Sequence, residues 1–191
     1  MTTQPVSGGL MAYPKEGLLR IAFKAPLYLW RIGLGGLLGQ NLVVLTTKGR
    51  KSGLPRHTMT EYAWINNRVV IASGWGAQAQ WVKNIEADPH LTVQTAHGTQ
   101  SCTTHRIDDD DLLTIVYQRM QSSPAFAPSL HTWGIEPPSL DNLLQHKDLA
   151  YFFMCEPTTE STPSPLETDL TWVWAVIGLS FLVGWLAGRN Q

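Results

Sequence analysis

Cysteine is scarce in this chain, with only Cys102 and Cys155 among 191 residues. Neither belongs to a CxxC pair or has a histidine at metal-ligand spacing, so a disulfide framework is excluded and no metal site is expected. The pair reads as two buried thiols in a reducing compartment. Charge is also sparse, at 15% Asp, Glu, Lys and Arg with a formal net charge of -1 and a pI near 6.6. That balance argues against nucleic acid as a partner. What the N-terminal third lacks is acid: residues 1–60 carry eight Lys and Arg against Glu16, whereas residues 61–191 carry six against fourteen acids. The asymmetry points instead to an anionic small molecule or a membrane surface. A secretory leader is not expected, because the first apolar run is broken by Arg20, Lys24 and Arg31 and has no small-residue cleavage site. The length suits one core with attachments rather than two domains.

The attachment at the far end is the long apolar run LTWVWAVIGLSFLVGWLAG, residues 170–188, nineteen residues without a charge. As a helix it would extend roughly 28 Å, close to the ~30 Å hydrocarbon thickness of a bilayer, which predicts a transmembrane helix. Trp172, Trp174 and Trp185 lie near its ends, where indole rings favour the headgroup boundary. A buried core helix is the alternative. The preceding PTTESTPSPLETD, residues 157–169, has the Pro, Ser and Thr content of a linker. The expected organisation is therefore a helical segment at 1–40, a soluble domain at 41–156, a linker at 157–169 and a single-pass anchor at 170–188, with the domain on the cytoplasmic side.

In the first segment Leu19, Phe23, Leu27, Trp30 and Leu34 recur at helical spacing beside Arg20, Lys24 and Arg31, with a bend expected at Pro26. Such a basic amphipathic helix suits either an anionic leaflet or the open face of a sheet. Between the two ends the pattern is mainly β. Short β-branched or aromatic runs at 41–47, 56–64, 68–73, 91–96, 100–107 and 149–155 predict six strands and a small barrel. Ile65-Asn66-Asn67 and His97-Gly98 read as hairpin turns, so sequence neighbours are expected to pair antiparallel. Helices are expected at 78–86 and 108–121. The run Asp108–Asp111 falls where acids favour a helix start rather than a metal cluster.

One stretch stands apart chemically. TTKGRKSGLPRHT, residues 46–58, sets Lys48, Arg50, Lys51 and Arg56 between two strands and punctuates them with Gly49, Gly53 and Pro55. It is not a phosphate-binding loop of the GxxxxGK[ST] kind, because Gly53 is followed by Leu54-Pro55 and a strand rather than a helix. The glycines permit a tight turn and close approach, and the cations offer forked and point-charge donors to phosphate or carboxylate. A solvated charged turn would have a similar composition.

This loop, followed by ASGWGAQAQWVKNIEADPHLTV at residues 72–93, resembles the deazaflavin-dependent nitroreductase family, also described as coenzyme F420-dependent quinone reductases. The resemblance runs over residues 27–107 and implies an α+β, mainly β, split β-barrel of the FMN-binding-like type. It implies that Arg50, Lys51, Ser52 and Arg56 grip the acidic tail of the cofactor. His57, Thr58 and Met59 would lie along the deazaflavin, and Ala72, Ser73, Gly74, Gln80, Trp81, Lys83 and Asn84 would complete the pocket. Gly74 departs from relatives that carry Lys after the Ser, and no tyrosine-rich wall is recognisable in residues 122–147. The implied activity is hydride transfer from reduced F420 to a quinone or nitro-type acceptor, and the expected anchor would place it at a membrane. No catalytic side chain is assigned, and the proton would come from water or Ser73. FMN in the same barrel, a non-enzymatic lipid- or cofactor-binding module and a homodimeric state remain open.

Overall fold

In a computed structural model, residues 18–189 are described; side chains are not described for residues 18–23, 183, 184 and 186–188, which leaves Leu19, Arg20 and Phe23 outside the comparison. The chain opens with α1 (Leu18–Leu29), which continues through a wide turn at Trp30–Leu34 into the short α2 (Gly35–Leu38). Pro26 lies inside α1, and the break falls instead at Gly33, whose φ of 96° needs a residue without Cβ.

Six strands follow: β1 (Leu42–Lys48), β2 (Pro55–Ile65), β3 (Arg68–Ala72), β4 (His90–Thr95), β5 (Gly98–Arg106) and β6 (Phe152–Pro157). They close into an antiparallel barrel in the order β1-β2-β3-β6-β5-β4, the split-barrel arrangement within an α+β chain. The β2–β3 hairpin turns at Asn66 and Asn67, with φ of 50° and 60°, the paired left-handed geometry that Asn tolerates. Sequence neighbours pair except at one place: β3 and β4 do not meet, and β1 pairs with β4 while β3 pairs with β6. The reason is α3 (Gln80–Ile85), which carries the chain across the barrel between them.

The period-two alternation separates two cores. Val69 and Ile71 of β3 and Phe153 and Cys155 of β6 join Val43, Leu45, Leu91 and Val93 in the barrel interior, which Trp81, Val82 and Ile85 of α3 also enter. Val70 and Phe152 face the other way, against α4 (Asp110–Met120), α5 (Phe126–Trp133) and α6 (Leu140–Gln145). The side chain of Asp109 caps α4 by accepting from Leu112 N at 2.8 Å, and Lys147 Nζ meets Asp110 at 2.6 Å. Both cysteines lie in the interior, where burial pushes the Cys102 thiol up to about 11 and raises the Cys155 thiol well above its ordinary value.

Past β6 the Pro- and Thr-rich segment is hydrogen-bonded along the barrel. Thr158 N donates to Ser101 O at 3.0 Å, and Thr92 Oγ1 donates to Pro163 O at 2.5 Å. Gln94 clamps Leu166 from both sides, accepting from its N–H at 2.7 Å and donating to its carbonyl at 3.0 Å. This strap covers the outer face of β4, which explains how Thr92 and Gln94 are buried. The strap ends in α7 (Val173–Gly188), sixteen residues long. The helix expected over 170–188 is thus shortened at its start. Leu170 N donates to Arg31 O, and the Trp174 indole donates to Ile32 O at 2.6 Å, which ties this entry to the first helical segment. Among the described residues no helix is long and apolar enough to cross a membrane. Nor is α7 a core helix, since Leu179 is 63% and Phe181 76% exposed.

Candidate functional site

The loop between β1 and β2 is a compact turn: Gly49 N donates to Leu54 O at 2.9 Å, and Gly53 N donates to Gly49 O at 2.7 Å. Gly53 has φ of 69°, and a Cβ at Gly49 would stand 2.8 Å from Ser52 Oγ. Glycine at both positions therefore permits a turn this tight. Ser52 Oγ in turn accepts from Arg56 Nη2 at 3.1 Å, so the serine orients a cation at the mouth of the site.

The other arginine is held from across the barrel. Arg50 Nη1 and N donate to Asn84 Oδ1 at 3.1 and 3.3 Å, and Nη2 donates to Gln80 Oε1 at 3.1 Å. Asn84 is buried and completes its bonds by donating to Thr47 Oγ1 at 3.0 Å. The Gln80–Asn84 pair on α3 is therefore a positioning device for Arg50. Among the described residues, no carboxylate pairs with Arg50, Lys51 or Arg56, although Arg31, Lys48, Arg68 and Lys147 each have an acidic partner.

These groups line a cleft of about 690 Å³ together with His57, Thr58, Met59, Gln80, Trp81 and Asn84. Its opposite wall is a face of α1 and the residue just beyond it, where Lys24, Leu27, Tyr28 and Arg31 recur at helical spacing. The basic stripe, which suits either a leaflet or the open face of a sheet, is turned at Lys24 and Arg31 toward this cleft. Leu166 of the strap also reaches it. His57 is hydrogen-bonded through Nδ1 to Thr46 Oγ1 at 3.0 Å. Burial, and then the nearby Arg31 charge, hold its pKa below the usual histidine value.

A second pocket of about 670 Å³ adjoins the first, sharing Met59 and Trp75 as a common wall. It lies between β2 and the α4–α5 turn and is lined mostly by apolar side chains, Pro26, Leu42, Met120 and Phe126 among them. Ala72 and Gly74 line this pocket rather than the basic cleft. Ser73 and Lys83 line neither. Ser73 is 1% exposed, its hydroxyl donates to Gly76 O at 3.0 Å, and its carbonyl accepts from the Trp133 indole at 2.8 Å. That hydroxyl is built into the turn that follows β3 and lines neither cavity.

Sequence reading missed Lys24, Tyr28, Arg31 and Leu166 in the cleft and Glu61 and Ser129 in the pocket. The α1 residues had a signal, their spacing, without any indication of what the face would meet. Leu166 had none.

A family model described as F420H(2)-dependent quinone reductase matches residues 31–129, just over half of the chain. The chain belongs to that family. An F420H2-dependent quinone reductase is an oxidoreductase, and the matched span holds the whole basic loop, α3 and the α4–α5 turn. Among solved structures, an F420-H2 dependent reductase, FDR-A, is 19% identical, with a TM-score of 0.40 over 61% of this chain and 95% of that one. A structure described as a domain-swapped dimer is 16% identical, with a TM-score of 0.49 over 73% of this chain and 100% of that one. A heme binding protein from Mycobacterium smegmatis is 13% identical, with a TM-score of 0.44 over 69% of this chain and 51% of that one. No curated protein matches the chain.

Proposed function

We propose that the basic cleft is the seat of coenzyme F420 and that the adjoining apolar pocket receives a quinone or nitro-type acceptor. The observation that carries this reading is the set of three cations without acidic partners among the described residues, Arg50, Lys51 and Arg56, in a cleft that shares Met59 and Trp75 with an adjoining apolar pocket. The donor set fits an anionic, phosphate-bearing tail: two forked guanidiniums held by Asn84, Gln80 and Ser52, and the exposed ammonium of Lys51. The cleft volume falls within the several-hundred-Å³ range of cofactor sites.

When bound, reduced F420 supplies the hydride, and the protein contributes binding and orientation. Arg50, Lys51 and Arg56 would hold the tail and so orient the ring end. The ring end and an acceptor would meet beside Met59 and Trp75, which line both cavities, and the apolar side chains of the second pocket would keep water from that contact. The exposed apolar surface of α7, including Trp174, Leu179 and Phe181, supports a membrane-associated enzyme acting on a lipid-soluble quinone. Such surface is unfavourable in water, and a helix apolar on every described side suits lipid.

The test is titration of the purified chain with F420, followed by fluorescence, in wild type and in Lys51→Ala and Arg56→Ala. Each substitution is expected to weaken binding by about 1 to 3 kcal/mol, the scale of a lost charge-assisted hydrogen bond, and by less at high salt. Unchanged affinity in both variants at low salt removes the loop from the cofactor site. FMN supplied in competition is expected not to displace F420.

A further inference from the structure

The second pocket has an unusual hydrogen-bonding polarity. Its wall holds four hydroxyls, and each already donates within the protein. Thr60 Oγ1 donates to Ala72 O at 3.1 Å, Ser129 Oγ to Ala125 O at 2.7 Å, Thr132 Oγ1 to Pro128 O at 2.8 Å, and Ser123 Oγ to Glu61 Oε2. A hydroxyl has one proton to give, so none of the four can offer a second donation to a ligand carbonyl or nitro oxygen without breaking its own bond. The charged residue in the wall is Glu61, which is half-buried and can only accept when ionised.

Glu61 is aimed by its strand. Its neighbour at i+2, Ala63, packs against the helical layer, so the period of β2 places Glu61 on that same side, facing the α4–α5 turn. Ser123, in that turn, accepts from Ala125 N at 3.2 Å and donates to Oε2. The serine thereby fixes one carboxylate oxygen, and among the described residues no group donates to Oε1. Among the described residues no Lys, Arg or His lines this pocket or pairs with Glu61. A carboxylate against apolar walls gains strongly from a donor or cation brought in by a ligand.

We propose that Glu61 is a specificity-determining residue of the acceptor pocket: it selects an electron acceptor that carries a protonated amine or a hydroxyl beside its reducible ring. This deepens the reading of the second pocket as the acceptor's seat and rests on it. Ser123 acts through Glu61 as a positioning residue.

The test uses the full chain and two probes: menadione bearing a short alkyl chain that ends in a primary amine, and menadione bearing the same chain ending in methyl. Affinities are measured by calorimetry with and without oxidised F420, so that no turnover occurs. The wild type is expected to prefer the amine probe by about tenfold, the gain of one charge-assisted contact. Glu61→Gln, which keeps shape and can still accept from Ser123, is expected to bring the two probes to within about twofold. Ser123→Ala is expected to reduce the preference only partly, through misplacement of the carboxylate. Equal binding of the two probes by wild type, or an undiminished preference in Glu61→Gln, overturns the proposal. F420 binding is followed separately by its fluorescence. Absence of F420 binding with the amine preference intact removes the cofactor reading and leaves Glu61 assigned; F420 binding without the preference does the reverse.

Discussion

Arg31 and Asp169, 138 residues apart, meet fork to fork, with Nε to Oδ1 at 2.7 Å and Nη2 to Oδ2 at 2.6 Å. The pair joins the end of the first helical segment to the end of the strap, and Arg31 also lines the basic cleft. Each partner shifts the other in the direction an ion pair requires, Arg31 upward and Asp169 downward. Because the pair lies at the surface, with Asp169 exposed and Arg31 partly so, the expected consequence is local rather than global. Asp169→Asn should speed proteolytic cleavage within residues 158–170 several-fold, mapped by mass spectrometry, while the barrel's thermal midpoint stays close to wild type. A strap as resistant as wild type would show that the Gln94 clamp on Leu166 holds it without the ion pair.

Asn84 gives a separate prediction, because it organises three groups from a buried position. Asn84→Ala removes the acceptor for Arg50 N and Nη1 and the donor to Thr47 Oγ1. Loss of such buried partners costs about 1 to 3 kcal/mol of stability, which a denaturant midpoint reads. F420 affinity should fall as well, since the guanidinium loses its aim. Its dependence on salt should persist, because the charge is still present. Arg50→Ala should flatten that dependence, and equal salt slopes for the two variants would mean that Arg50 does not reach the ligand.

The pH response of the site centres on His57. Its folded pKa is depressed, by burial first and by the Arg31 charge second. The ordinary value is about 6.5. As pH falls through that value the unfolded chain takes up a proton before the folded one does, so this residue's contribution to stability declines on acidification and levels off only below the folded midpoint. By NMR titration the His57 midpoint should lie below the ordinary value, rise in Arg31→Gln, and rise again when an anionic ligand fills the cleft. A midpoint unmoved by Arg31→Gln would place the shift wholly on burial.

Those residues also show what a sequence can and cannot disclose here. The six strands were legible because β-branched and aromatic runs have no competing helical period, and the Asn66-Asn67 turn carries its own stereochemical signature. The basic loop was legible because four cations and two glycines in so short a span have few structural uses. The strand order was not, because β1 meets β4 and β3 meets β6 only once α3 has crossed the barrel, a tertiary outcome that no local pattern encodes. Helices α5 and α6 escaped notice since Pro124, Pro128, Pro137 and Pro138 lie in and around short apolar runs that read as loop. The strap escaped for a similar reason: Pro, Ser and Thr suit a free linker, yet here side chains of Thr92, Ser101 and Gln94 hold it. Glu61 carried no signal of its own, because Ser123 of the α4–α5 turn, which meets it, lies 62 residues further along the chain.

Removal of α7 tests the link between its exposed surface and the membrane. A chain ending at Thr171 keeps Leu166 at the cleft and the Arg31–Asp169 pair, and so retains every side chain placed in the cofactor site. What it loses is the entry turn, the Trp174 bond to Ile32 O and the apolar surface that includes Ile177, Leu179, Phe181, Leu182 and Trp185. The expected outcome is a chain that binds F420 as tightly as the full-length protein and no longer sediments with vesicles. Reduction of a long-tailed quinone embedded in those vesicles should drop far more than reduction of a short soluble analogue, because only the embedded substrate depends on the enzyme being held at the bilayer. Residual vesicle binding that salt removes would come from the cations of α1, which act through screened charge. If the full-length chain stays off vesicles under the same conditions, α7 has another partner, and the lipid-soluble quinone loses its support as the acceptor.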